Sequence, residues 1–178
     1  MVWYLTMKPQ RIAIIGPGGA GKSTLARQMG AKTGLPVIHL DAVYWHEGWQ
    51  ETQKDMWEQT VRELTRQPEW ITDGNYGGTM ELRLAAADTI IFLDLPPLLC
   101  VWRVVRRWRQ YRSQSRPDMA PGCSEKLDWM FLRWIWNYRR DRRPDILTRM
   151  NKYAEGRRLV QLQSARQVRR FLQTLPQS

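Results

Sequence analysis

Short β-branched runs alternate along the chain with stretches of helical character. Arg11–Ile15 reads RIAII and stops at Gly16, and a glycine-rich turn leads into residues 23–32, which favour helix. The local reading is strand, loop, helix. Gly34 suits the position just past a helix end, and residues 36–40 form a second apolar run ending at Asp41. Thr52 with Asp55 has capping-box spacing and opens a helix to about Arg66. Residues 69–72 make a third strand, closed by Asp73-Gly74-Asn75, and Thr89–Leu93 a fourth, closed by Asp94 with Pro96 and Pro97 behind it.

Residues 98–112 carry a helical period: stepping about 100° per residue, Val101, Val104, Val105 and Trp108 share one face and Arg103, Arg106 and Arg107 the opposite one. Residues 116–123, with Pro117, Pro121 and Gly122, read as a loop. Ser124 then suits the cap of an aromatic-rich helix ending in Tyr138-Arg139-Arg140-Asp141-Arg142-Arg143. Residues 158–163 are the last strand, and Ser164 with Gln167 caps the terminal helix. Strands alternating with helices pair in parallel through right-handed crossovers. The expected fold is a three-layer α/β/α arrangement with a mainly parallel five-stranded sheet. Ligands gather at the carboxyl ends of such strands, so Gly16, Asp41, Asp73 and Asp94 should converge in one crevice.

At 178 residues the chain suits a single domain over 1–178. Charge adds a second feature. Residues 1–99 hold 9 Lys and Arg against 11 Asp and Glu, a net −2, whereas residues 100–178 hold 19 against 6, a net +13. The basic charge is therefore local, and it falls on a helical lid region at about 98–145. Cys100 and Cys123 have neither CxxC spacing nor histidine neighbours, so no zinc site or disulfide framework is indicated and a reducing cytoplasm is expected. No apolar run reaches the roughly 20 residues of a membrane span, and residues 1–10 lack the marks of a secretory signal.

The strongest motif is Gly16-Pro17-Gly18-Gly19-Ala20-Gly21-Lys22-Ser23, a full GxxxxGK[ST] with Thr24 behind it. Its glycines let backbone N–H groups wrap a β-phosphate, the helix behind offers its positive end, Lys22 reaches β and γ oxygens, and Ser23 ligates Mg²⁺. ATP with Mg²⁺ is the implied ligand.

Six stretches together resemble the P-loop nucleoside monophosphate kinase group, and most closely the adenylate-kinase-like DNA topology modulation proteins, FlaR-related. They are residues 16–23, residues 35–41 with Tyr44 and Trp45, residues 70–76, residues 90–96, residues 116–119 and residues 134–137. The resemblance implies that Asp73 holds the Mg²⁺ shell through water, as the Asp of a DGFPR segment does. Here Asn75-Tyr76-Gly77 replaces Phe-Pro-Arg, so the monophosphate-contacting arginine is missing. It also implies that Arg103 stacks on adenine and Arg107 clamps phosphate. The long lid of adenylate kinases is replaced by a short basic helical one, as in shikimate- and gluconate-type kinases, so the acceptor need not be a nucleotide.

The remaining candidates carry open alternatives. Asp41 reads as base or orienter for an acceptor hydroxyl, or as a turn residue. Asp94 resembles a Walker B carboxylate and equally a structural cap. His39 reads as strand packing. Tyr44, Trp45 and Trp49 suit an acceptor pocket wall or core. Arg103, Arg106 and Arg107 suit phosphate clamping. Arg139, Arg140, Arg142 and Arg143 fit lid arginines, a nucleic-acid patch or plain surface. The favoured function is an ATP-dependent phosphotransferase with Lys22, Asp41, Asp73, Arg103 and Arg107 in catalysis and an unidentified small acceptor. The rival is a nucleic-acid-associated ATPase or DNA-binding protein. A GTPase switch is disfavoured because Asn151-Lys152-Tyr153-Ala154 lacks the final Asp of NKxD.

Overall fold

The computed structural model describes residues 9–111, 118–124 and 126–175. The apolar start at residues 1–8, Arg112 at the expected helix end, and Arg116 and Pro117 of the expected loop lie outside the described residues.

Five parallel strands form the central sheet in the order β2 (Val37–His39), β5 (Trp70–Asp73), β1 (Arg11–Ile15), β6 (Thr89–Leu93) and β7 (Arg158–Leu162). A separate hairpin joins β3 (Trp45–His46) to β4 (Gln50–Glu51). The chain leaves central β1 first for β2 and β5 on one side and later for β6 and β7 on the other. That reversal opens a crevice at the strands' carboxyl ends.

Both faces of the sheet are covered, which is why β1 and β6 are continuous apolar runs with no polar alternation. Successive β1 residues point to opposite faces. Ile12 and Ile14 pack with Leu25, Ala26 and Met29 of α1 (Lys22–Thr33), with Val104 of α5 (Pro97–Tyr111), and with Phe171 of α8 (Ala165–Gln173). Ala13 and Ile15 pack with Leu84 of α4 (Met80–Ala86), Tyr138 of α6 (Trp129–Asp141) and Ile146 of α7 (Arg143–Lys152). Full burial of a residue like Ile14 is worth about 1.5–3 kcal/mol, so these two layers dominate the fold.

Gly34 ends α1 with φ 76° and its N–H bonded to Gly30 O at 2.9 Å, as expected of a left-handed cap. Ser164 also caps as expected, its Oγ accepting from Gln167 N at 3.2 Å, while Gln167 Oε1 accepts from Gln163 N at 2.6 Å. Two other caps are corrected. The helix α3 (Lys54–Arg66) starts after Gln53, and the Thr52 hydroxyl instead donates to Tyr44 O at 2.6 Å, closing the hairpin. Likewise α6 is capped by Asp128, whose carboxylate accepts from Met130 N at 2.9 Å, and Ser124 gives its carbonyl to Trp49 Nε1 at 3.1 Å. Asp41 does not end a strand: it lies in the first turn of α2 (Leu40–Tyr44), which follows β2 directly. Among the described residues no helix is long and apolar enough to cross a membrane.

Candidate active site

Residues 16–21 loop from β1 into α1 with Gly16, Gly19 and Gly21 at positive φ. Two of these glycines are sterically required. A Cβ on Gly19 would lie 2.3 Å from Cys100 O, and one on Gly16 2.6 Å from Leu93 O. The loop is thus wedged between β6 and α5 with no room for a larger residue. Lys22 Nζ folds back and donates to Gly16 O at 3.0 Å and Pro17 O at 3.1 Å. Burial pushes its ammonium pKa down, opposed by the charges of Asp41 and Asp73. Ala20 N bonds Pro17 O at 3.2 Å, tightening the turn, and Thr24 faces the cavity beside Ser23.

Ser23 Oγ donates to Asp73 Oδ2 at 2.7 Å. Asp73 is only 4% exposed at the end of β5, and its other oxygen meets His39 Nδ1 at 2.6 Å. That hydrogen bond raises the imidazole pKa against the effect of burial. His39 does more than pack in its strand. It is the register partner of Asp73 across β2 and β5, and that pairing turns it into a fixed second contact for the carboxylate.

Asp41 Oδ1 accepts from Tyr76 OH at 2.6 Å, and burial raises the Tyr76 phenol pKa. The loop carrying Tyr76 is held from beneath by Arg83, which has no exposed surface. Its Nη1 donates to Gly74 O at 2.9 Å and its Nη2 to Asn75 O, and burial pushes its pKa down to about 10. Asn75 Oδ1 in turn accepts from Gly16 N at 3.0 Å. Arg83 therefore ties the loop after β5 to the glycine loop, and nothing in its sequence context marks it as buried.

The arginine face of α5 is corrected. The buried stripe of that helix runs through Cys100 and Val104, so Arg103 and Arg107 border it and line the cavity, whereas Arg106 is exposed and stacks over Trp102 at 5.5 Å. Arg103 Nη1 donates to Ala20 O at 3.1 Å. The arginines after Tyr138 divide similarly, although the aromatic helix ends at Asp141 and Arg143 opens α7. Arg139 Nε and Arg143 Nε reach Asp94 at 3.2 and 2.9 Å, and Arg140 pairs with Asp141 at 2.7 Å on the surface. Asp94 is thus the hub of an ion-pair network, which favours the structural reading of that carboxylate.

A single cavity of about 1090 Å³ runs from Gly18, Lys22 and Ser23 past Asp41 to Trp45 and Trp49. The backbone architecture has solved counterparts. A shikimate kinase from Acinetobacter baumannii in complex with shikimate is 19% identical, with TM-score 0.54 over 96% of this chain and 92% of that one. A shikimate kinase from Bacteroides thetaiotaomicron is 20% identical, with TM-score 0.54 over 94% and 96%. The deoxyadenosine kinase from M. mycoides, solved with its products bound, is 14% identical, with TM-score 0.51 over 93% and 97%. The chain has the P-loop kinase fold. No family model and no curated protein sequence matches it.

Within this P-loop kinase fold, the residues at the loop suit Mg²⁺. No three His, Cys, Asp or Glu side chains among the described residues converge to hold a metal by themselves. Mg²⁺ does not need them, because it takes one or two protein oxygens and completes its shell with phosphates and water. The Ser23 hydroxyl and Asp73 carboxylate, already 2.7 Å apart, are hard oxygen donors of that kind.

Proposed function

We propose that the chain is an ATP-dependent phosphotransferase acting on a small acceptor. One observation carries the reading: a single cavity contains both the phosphate loop, with Lys22 and Ser23, and the Asp41 carboxylate. Bound Mg²⁺ would supply charge neutralisation across the β and γ phosphates. The chain's own groups do the rest. Lys22, freed from the Gly16 and Pro17 carbonyls, binds phosphate oxygens; Arg103 and Arg107 stabilise the nucleotide end; Asp73 is held in place by His39; Asp41 orients the acceptor. We take residues 1–178 as one kinase domain whose segment at about 98–145 works as a basic lid, in a reducing cytoplasm that suits the free, buried Cys100 and Cys123. The resemblance to the FlaR-related DNA topology modulation proteins belongs to this reading. The test is ADP release from Mg-ATP across candidate acceptors, wild type against Lys22→Ala.

A second reading has its own observation. The exposed faces of α5 and α6 carry Arg106, Arg109, Arg133 and Arg140 beside Trp102 and Trp136, both more than half exposed. Arginines interleaved with aromatic rings suit single-stranded nucleic acid. On this reading Arg106→Ala and Arg133→Ala each lower the slope of log affinity against log salt by about one.

A further inference from the structure

Six of the seven large apolar side chains exposed among the described residues lie in one outer region: Leu98 and Trp102 on α5, Leu127 just before α6, and Trp129, Met130 and Trp136 on it. Five of the six are more than half exposed. At about 100° per residue, Leu98, Trp102, Arg106 and Arg109 form one stripe of α5, opposite the buried Cys100 and Val104. Trp129, Arg133, Trp136 and Arg140 form the matching stripe of α6, opposite the buried Ile135 and Tyr138. The two helices pack on each other, and their inner residues Arg103, Arg107 and Phe131 line the cavity. The outer stripes do not touch it.

Charge narrows what can cover this face. Residues 97–111 and 129–140 hold seven arginines and no Asp or Glu. The flanking acids are matched locally: Asp141 pairs with Arg140 at 2.7 Å, and the Asp128 carboxylate caps Met130 N at 2.9 Å. Arg106 stacks over Trp102 at 5.5 Å and keeps its charge beside an apolar ring. A second copy of the chain would set arginine against arginine, and a purely apolar partner would strip the guanidiniums of water without pairing them. The complement is anionic and apolar at once. A nucleic-acid strand offers phosphates to the arginines and ring faces to the tryptophans, but Leu98, Leu127 and Met130 have no ring on which a base could stack. An anionic bilayer matches all three kinds of side chain, with phosphates for arginine, a headgroup boundary for tryptophan and acyl chains for leucine and methionine.

We propose that the outer face of α5 and α6 docks the protein on an anionic phospholipid surface. The tryptophans sit at the headgroup boundary, Leu98, Leu127 and Met130 reach the acyl region, and Arg106, Arg109 and Arg133 pair with lipid phosphates. The cavity lies on the other side of both helices, so docking stands independently of the phosphotransferase reading.

The full chain is sedimented with vesicles of phosphatidylcholine alone and of equal parts phosphatidylcholine and phosphatidylglycerol. Affinity should be at least about tenfold higher for the anionic vesicles and should fall as salt rises. Lipids brominated along the acyl chain should quench tryptophan emission. Trp102→Ala combined with Trp136→Ala should weaken binding at least about tenfold, and Arg106→Gln and Arg133→Gln should each weaken it about fivefold. These four side chains are exposed, so the variants should keep the wild-type melting temperature and its shift with Mg-ATP. Equal binding to both kinds of vesicle, no quenching from the acyl chains, or full binding by the tryptophan variant overturns the proposal. Tighter binding to a single-stranded oligonucleotide than to anionic vesicles at the same salt also overturns it and assigns the face to nucleic acid.

Discussion

Replacing Asp94 with asparagine separates a structural carboxylate from a catalytic one. The carboxylate is 1% exposed and accepts from Arg139 at 3.2 Å, Arg143 at 2.9 Å, Gln161 at 2.9 Å and Gln163 at 3.2 Å. It thereby joins β6 and β7 to α6 and α7. Asparagine keeps the shape, removes the charge and turns one acceptor into a donor. Removing one partner of a buried ion pair costs about 3–5 kcal/mol. Arg139 and Arg143 are 41% and 35% exposed, so water solvates part of their orphaned charge and the expected loss falls to about 1.5–3 kcal/mol. Urea unfolding should show a lower midpoint at unchanged slope. Burial alone would raise the Asp94 pKa, but hydrogen bonds from Arg143, Gln163 and Gln161 and the charge of Arg139 hold it below the ordinary 3.8. The folded state therefore favours the ionised form. Its stabilisation is complete above the ordinary value and is lost as pH falls through the folded one, so the gap between wild type and variant should close on acidification. Turnover at temperatures where the variant is folded should be unchanged. A stability loss below about 0.5 kcal/mol, or a folded variant without turnover, would refute the structural assignment.

Mg-ATP at about a hundred times its Kd should stabilise the wild type by about 2.7 kcal/mol, or about 5–10 °C in Tm, and Lys22→Ala should lose most of that shift; an unchanged shift would remove the phosphate site from residues 16–23. Arg103→Ala and Arg107→Ala should each lower kcat/KM at least about tenfold, whereas Arg106→Ala should change it less than about twofold, and equal effects in all three would contradict the placement on α5. Asp73→Asn should keep ATP binding yet lose most turnover, because a metal-shell contact acts chiefly in the transition state; near wild-type kcat would make Asp73 a structural residue only.

The strands were legible because β1 and β6 are buried on both faces and leave uninterrupted apolar runs. The loop was legible because a glycine such as Gly19, wedged against Cys100, admits few other residues. What escaped the sequence depends on contacts distant along the chain. His39 meets Asp73 only because β2 pairs with β5, and the capping patterns at Thr52 and Ser124 lost to tertiary partners, Tyr44 and Trp49. Helix α2, with five residues, and the two-residue strands of the hairpin are too short to show a period. The wheel of α5 put Arg103, Arg106 and Arg107 together on one face, whereas the buried stripe through Cys100 and Val104 leaves Arg103 and Arg107 at the cavity and Arg106 exposed.

The central claim is phosphoryl transfer, and ³¹P NMR of the protein with Mg-ATP and candidate acceptors tests it most directly. The account predicts a new phosphomonoester resonance growing in step with ADP, and no such resonance with Lys22→Ala. ATP bound without transfer to any acceptor, or ADP matched only by inorganic phosphate and stimulated by added DNA, would contradict it.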